Sequence, residues 1–501
     1  MPSSPLGRIA VAGVLPLAAA FAFVAPGAAS ATIPTPQCTG SNIEGAGSTL
    51  QEPVQNGTYI PAFESTEYAK YNCSGYVGKY ETTETYTELV AGHVKTKTRK
   101  IKHEGPKPKV KYNSATGSFF ELGSGSAKKD WGAAGHPSGI KYGEIAFAAT
   151  DEAPNAAEVS EMESAETEKG QLITIPILQA AVAVPIHLPS TCTANSTKFP
   201  GRWDLTNAVL EQIWAGQITT WGEASEKLDS DNSKAGDTLH CTEPTETELA
   251  ITRVVRQDKS GTTNAFKKYL YQIDAEHNIR GTQSWLEIAS GSANTEWPGV
   301  TTHSFGSGTG KLLTTEHEAA GSIGYANLAN VRAKGWFTNP AETEKNEFWA
   351  PVQDNGTNPE KAKFADPSTK SATAAEDTST VQESNCANTQ YVNGNGSPFP
   401  PSEVIGDGAN ALWNETTSEP VEAHYPICVL TYDEAFTNYG TALGDTFATG
   451  EAQTAVDFLQ FIVNPKGGEK ALKKHDYLAL PAGQIQAEAE EGALAAGAGG
   501  L

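Results

Sequence analysis

Apolar residues along this chain recur in more than one rhythm. Ile173 to Ile186 (ITIPILQAAVAVPI) and Tyr425 to Thr431 (YPICVLT) are near-continuous apolar runs, the pattern of strands covered on both faces. Leu205, Val209, Leu210, Ile213 and Trp214 instead recur at three- and four-residue spacing, which predicts an amphipathic helix over Leu205 to Ile218. Ala455 to Ile462 repeats that pattern and continues through Lys466 into a Lys-rich turn. Short apolar runs alternating with helical stretches predict an α/β fold. Between them, Asp354 to Gly396 is rich in Thr, Asn, Ser, Glu and Lys and reads as a long surface excursion or a disordered loop. Glu488 to Leu501 reads as a frayed tail of Ala, Glu and Gly, and no repeat of 20–50 residues is visible.

The N-terminus changes the compartment. Arg8, the apolar run Ile9 to Val24 and the small residues ending in Ala29-Ser30-Ala31 have the order of a signal peptide, so residues 1–31 are expected to be cleaved and the mature chain to start near Thr32. A membrane anchor needs about 20 apolar residues, and Pro16 and Pro26 interrupt this run. Thr35-Pro36-Gln37 before Cys38 lacks the residues of a lipoprotein signal, so no lipid anchor is expected. Six cysteines in the exported part suggest three disulfides. Fifteen pairings are possible. Chain order favours Cys38 with Cys73, Cys192 with Cys241 and Cys386 with Cys428.

With 501 residues the chain is long enough for two or three domains. Asp and Glu number 59 against 36 Lys and Arg, and loss of Arg8 takes the formal net charge from -23 to -24. That field repels phosphate backbones, so nucleic acid is not an expected partner, and any bound anion must be held by local donors. One segment opposes the background: His93 to Lys111 carries eight Lys and Arg residues and is broken by Gly105-Pro106. Its alternation predicts a solvated hairpin turning there, with lysines protecting an exposed edge rather than docking wall polyanions.

Candidate chemistry gathers in Gly/Ser/Thr-rich turns: Gly45 to Leu50 (GAGSTL), Gly123 to Ser126 (GSGS), Lys259 to Thr263 (KSGTT) and Gly306 to Gly310 (GSGTG). The first three precede helical stretches, where backbone N–H groups and hydroxyls can meet an anion; several converging would form an oxyanion pocket. Arg256 and Asp258, two apart at a strand end, can pair on one face and present a planar guanidinium.

GAGSTL, GSGS, FAATDEAP, RVVRQDKSGTT and GSIGYANL, together with LEQIWAGQITTWGE and VDFLQFIVNPKGGEKALKKHDYLALP, follow one another as in the secreted phosphate-binding proteins that serve phosphate ABC transporters. The chain resembles that family from about Gly45 to Ile485. The resemblance implies a two-lobed α/β fold of the periplasmic-binding-protein type (type II), closing on one inorganic phosphate, without cofactor or metal. It implies a monomer that hands phosphate to a membrane permease outside the cytoplasm. Lobe 1 would comprise residues 32–180 and 425–501, lobe 2 residues 181–424, with crossings near Thr174 to His187 and Tyr425 to Tyr432. Thr49 and the N–H of Leu50 match the first phosphate loop and Ser126 the hydroxyl of the second. Asp151 matches the acceptor for the phosphate's proton, and Arg256, Ser260, Gly261 and Thr262 match donors on the other lobe, Asp258 partnering the Arg. Leu50 stands where an aromatic residue is usual, Lys259 replaces a Gly, and the Thr49-to-Ser126 stretch is longer than the family's.

Three other readings compete. Ser126-x-x-Lys129, Ser230-Asp231-Asn232 and Lys259-Ser260-Gly261 mimic serine acyl-enzyme elements, but the last opens a helix and lies only 29 residues from Ser230. A phosphatase lacks its metal cluster, Ser elbow or P-loop here. An adhesive wall protein with the fold and no ligand would fit the basic hairpin.

Overall fold

The computed structural model describes residues 41–64, 80–90, 93–103, 109–113, 123–125, 128, 145–164, 171–196, 198–232, 238–242, 249–275, 279, 281, 283–299, 303–336, 346–354, 363–369, 383–387, 389–392, 413, 417–419, 424–439, 449–472 and 475–498. The leader, Cys38, Cys73, Ser126 and Gly105-Pro106 lie outside them.

The apolar run at 172–187 splits into β6 (Leu172–Ala183) and β7 (Pro185–His187), and the break at Val184 carries the chain from one sheet to another. The first sheet adds β1 (Ile43–Gly47), β4 (Val110–Asn113), β5 (Phe147–Thr150), β11 (Ala326–Asn327), β13 (Cys428–Phe436) and β14 (Tyr477–Leu478). Its order is β11-β6-β13-β5-β1-β4, with β14 also on β6. β1 is parallel to β4 and β5, whereas β13 runs antiparallel to β5 and β6. Every residue of β6 and β13 is buried, the polar Thr174, Gln179, Thr431, Asp433 and Glu434 included.

The second sheet adds β8 (Thr252–Arg256), β9 (His303–Gly306), β10 (Ser322–Ile323) and β12 (Glu347–Trp349) in the order β9-β8-β10-β7-β12. β10 lies in the second sheet and β11, three residues on, in the first. The chain therefore also passes between sheets at Gly324-Tyr325, a passage that no apolar run announces.

Helices cover both sheets. The predicted helix forms as α1 (Asn207–Trp214), with the Thr206 hydroxyl accepting from the Val209 amide at its N-cap. α2 (Gly261–Ile273) follows β8, and its Phe266 ring stacks on Tyr325 at 4.8 Å and meets Trp214 edge-on at 5.1 Å. α3 (Gly308–Glu318) follows β9. On the first sheet, α4 (Thr449–Ile462) brings Phe458 against Phe63 and Phe147. Cys192–Cys241 and Cys386–Cys428 are bonded as chain order suggests.

Three expectations need correction. Residues 488–495 of the supposed tail belong to α5 (Gln484–Ala495), whose small residues let it lie close on β6: a Cβ added at Gly492 would sit 3.3 Å from Ile175. Low complexity there is a packing face. Parts of 354–396 are interior: Val352–Gln353 pairs with Phe364–Ala365, Asp366 forms a buried ion pair with Arg202, and Cys386 is buried in its disulfide. The two parts of the basic segment do not pair with each other: His93–His103 pairs with the strand before it and Val110–Asn113 with β1. β2 (Tyr80–Val90) and β3 (His93–His103) are antiparallel, in a register that sets Glu81, Glu84 and Glu88 opposite Lys102, Arg99 and Lys95.

Candidate functional site

β1, β8 and β9 end where three of the four Gly/Ser/Thr turns begin and β5 ends at the Asp151 turn; parallel pairing puts the ends of β1 and β5 side by side, and likewise those of β8 and β9. Four turns scattered over 260 residues thereby meet at one place.

On the first-sheet side, the Ser48 amide donates to the Ala149 carbonyl, fixing the turn after β1 to the end of β5. The Ser48 hydroxyl donates to Asp151 Oδ1 at 2.5 Å and accepts from the amides of Leu50 and Gln51. Ser124 donates to Asp151 Oδ2 at 3.3 Å and accepts from the Asp151 amide at 3.0 Å. Thr262, from the other side, donates to Oδ2 at 3.2 Å. Asp151 is thus a buried carboxylate ringed by three hydroxyls, 4% exposed. Burial pushes it up to about 6, the hydroxyl bonds and the Arg256 charge pulling the other way.

On the second-sheet side, Arg256 is 2% exposed and forks onto Asp258: Nε donates to Oδ1 at 2.8 Å and Nη2 to Oδ2, while Nη1 donates to Thr309 Oγ1 at 3.2 Å. Burial works against its charge, but Asp258 beside it holds the guanidinium above its ordinary value. The Gly308 amide also donates to Asp258. The cation is therefore already neutralised, so the site offers an anion directed donors rather than net positive charge.

Glycines are required where backbones touch. A Cβ at Gly261 would lie 2.7 Å from the Asp151 backbone, so α2 starts directly against that residue. Gly123, at φ +96°, lets its turn lie over the Arg256–Asp258 pair, where a Cβ would be 2.7 Å from Asp258 Oδ2. Ser260 caps α2 by accepting from the Thr263 amide, leaving the Gly261 and Thr262 amides in the first turn, where no intrahelical acceptor exists. Thr49 and Thr309 hydroxyls meet at 2.8 Å and the Thr309 amide donates to Thr49.

Thr49, Leu50, Asp151, Arg256, Asp258, Ser260, Gly261 and Thr262 are thus brought together; Ser126 lies outside the described residues, and Ser124 of the same motif supplies a hydroxyl to Asp151. The amides of Leu50 and Ser260 are engaged, with Ser48 and with Asn294. Sequence reasoning missed Ser48, Ser124 and Thr309. The signal for Thr309 was present, because GSGTG follows a strand and opens a helix just as KSGTT does. Lys259-Ser260-Gly261 opens α2 as expected, unlike the strand of an acyl-enzyme.

A mixed α/β pair of sheets with anion-type donors converging from both sides is the architecture of a solute-binding protein, and the chain belongs to the PBP superfamily: residues 80–391 match a PBP superfamily domain. Among individual proteins it is similar to the phosphate-binding protein PstS of Xylella fastidiosa strain Temecula1 / ATCC 700964. Identity is 28% over 221 residues, covering 44% of this chain and 48% of that protein. PstS of strain 9a5c is 27% identical over the same length. The chain thus spans about half the length of the curated relatives it matches. In fold it is similar to PfluDING, a high-affinity periplasmic phosphate-binding protein bound with phosphate (TM-score 0.52, 18% identity, 89% of this chain and 92% of that one). It is also similar to the phosphate-binding protein from Stenotrophomonas maltophilia (TM-score 0.50, 16% identity, 90% and 92%). The two-lobe-type α/β fold expected from the sequence is the fold of the chain. Among the described residues no helix is long and apolar enough to cross a membrane.

Proposed function

We propose that this protein captures inorganic phosphate between Thr49, Ser124 and Asp151 on one side and Arg256, Gly261, Thr262 and Thr309 on the other. The observation that carries this reading is Asp151, a buried carboxylate facing hydroxyls and a helix N-terminus instead of a cation. An acceptor-only group inside a cage of donors suits an oxyanion that still carries a proton, and it rejects one that carries none, because two unprotonated oxygens face to face bury unpaired acceptors. Phosphate is protonated near neutral pH; sulfate is not. In the complex, phosphate oxygens take over the donors that now bond Thr49 to Thr309 and Ser48 to Asp151.

The finer role follows the relatives. After loss of residues 1–31 the protein acts outside the cytoplasm as a monomer delivering phosphate to an ABC permease, with lobes at 32–180 plus 425–501 and 181–424. Support comes from the names of the similar proteins and from the leader pattern. Calorimetric titration of the purified protein with phosphate tests the reading: saturable binding of one phosphate is expected, and no heat of binding at millimolar phosphate would overturn it.

A further inference from the structure

Lys267, two turns into α2, is fully buried and faces backbone rather than a carboxylate. Its ammonium donates to the carbonyls of Ile288 (2.9 Å), Asn294 (2.7 Å) and Glu296 (2.6 Å), with that of Ala293 at 3.5 Å, and lies 4.3 Å over the Trp297 ring. All these acceptors belong to one segment, 288–296, which includes the 3-10 turn Gly291–Thr295. The same segment presents Asn294, 2% exposed, to the start of α2: its Oδ1 accepts from the Ser260 amide at 2.9 Å and its Nδ2 donates to the Ser260 carbonyl at 3.2 Å. A second bond from Nδ2, to the Ala289 carbonyl, fixes the amide's orientation.

We propose that Lys267 is a positioning residue for the anion site: it pins segment 288–296 to α2 and, through Asn294, holds Ser260 so that the first turn of α2 faces Asp151. Among the described residues no strand pairs with this segment, and a caged ammonium with three protons supplies directed bonds that an apolar side chain cannot. Asn294 then occupies both backbone groups of Ser260, fixing the extended N-cap conformation (φ -132°, ψ 126°) from which the Gly261 and Thr262 donors project. The inference rests on the phosphate reading for its functional consequence, but not for the latch itself.

The test reads both. Lys267→Met removes the cage donors, and Asn294→Ala leaves the ammonium caged while removing the clamp, so either variant that folds suffices. Each should weaken phosphate binding about tenfold, the scale of one directed hydrogen bond in a dry site. The double variant should be no weaker than Asn294→Ala alone. Leu270→Ala, a buried apolar truncation on the same helix, should lower the melting temperature and leave the dissociation constant within about twofold. Amide exchange at Ser260 should accelerate in Lys267→Met and in Asn294→Ala. An unchanged dissociation constant in both variants, or fully additive effects in the double variant, would overturn the functional role. If the wild type binds no phosphate, the phosphate reading fails and exchange still decides the latch: unchanged Ser260 exchange in Lys267→Met would refute it.

Discussion

The two sides of the site hold their charges in opposite ways. Arg256 is buried beside a carboxylate that takes two of its guanidinium nitrogens, so its charge is balanced before any ligand arrives. Asp151 is as deeply buried, yet it meets only hydroxyls, and burial lifts it to about 6. A paired cation gives geometry without attraction at a distance, and an unpaired acid gives discrimination. In a chain with net charge -23, this division lets a site bind an anion and still choose among anions.

Breaking the balanced side should have the largest effect. Arg256→Ala leaves the partly exposed Asp258 with only the Gly308 amide and removes the donor to Thr309; phosphate affinity should fall more than a hundredfold, and stability should drop by about 1–3 kcal/mol. Titration and thermal melts at pH 7 read both, and near-native values would remove Arg256 from the site.

The unpaired side should break differently, in choice rather than strength. Asp151→Asn turns an acceptor into a group that can also donate, so sulfate should bind and the preference for phosphate should shrink. The wild type should move the same way in acid: below about pH 6 Asp151 takes up a proton and becomes a donor, so sulfate should begin to compete near pH 5. Sulfate excluded equally at pH 5 and pH 7 would contradict that. Thr309→Val, which removes the hydroxyl shared by Arg256 and Thr49, should cost roughly tenfold in affinity with selectivity unchanged.

Much of this was legible in the sequence, unevenly. ITIPILQAAVAVPI announces a buried strand because both faces of β6 are covered, and Arg256-x-Asp258 announces its own pairing because alternate residues share a face. The GSGS turn has two serines, and the sequence alone does not announce that Ser124 meets Asp151. α5 was obscured because a helix that packs through Ala and Gly has almost no apolar contrast. Gly105-Pro106 is a strong turn signal in isolation, but β3 pairs with β2, which precedes it. Lys267 and Asn294 left no mark, since their partners are backbone groups 21 to 34 residues away.

The smallest effect tests burial without ligand. Asp433, held by Gln55, is pushed up to about 8 by burial, as is Glu434. The folded state keeps these protons where the unfolded chain, with carboxyls near 4, has lost them, so their contribution to stability declines as pH rises from about 4 to about 8. Asp433→Asn should flatten the fall in melting temperature across that window; a wild-type slope in the variant would show that Asp433 ionises normally.

Recognition at Asp151 turns on the proton carried by the ligand. Phosphate titrated into the wild type at pH 7, in the presence of a large excess of sulfate, should give the same dissociation constant as without sulfate. A constant that rises in proportion to the sulfate added would show that Asp151 does not read the proton, and would contradict selective phosphate capture.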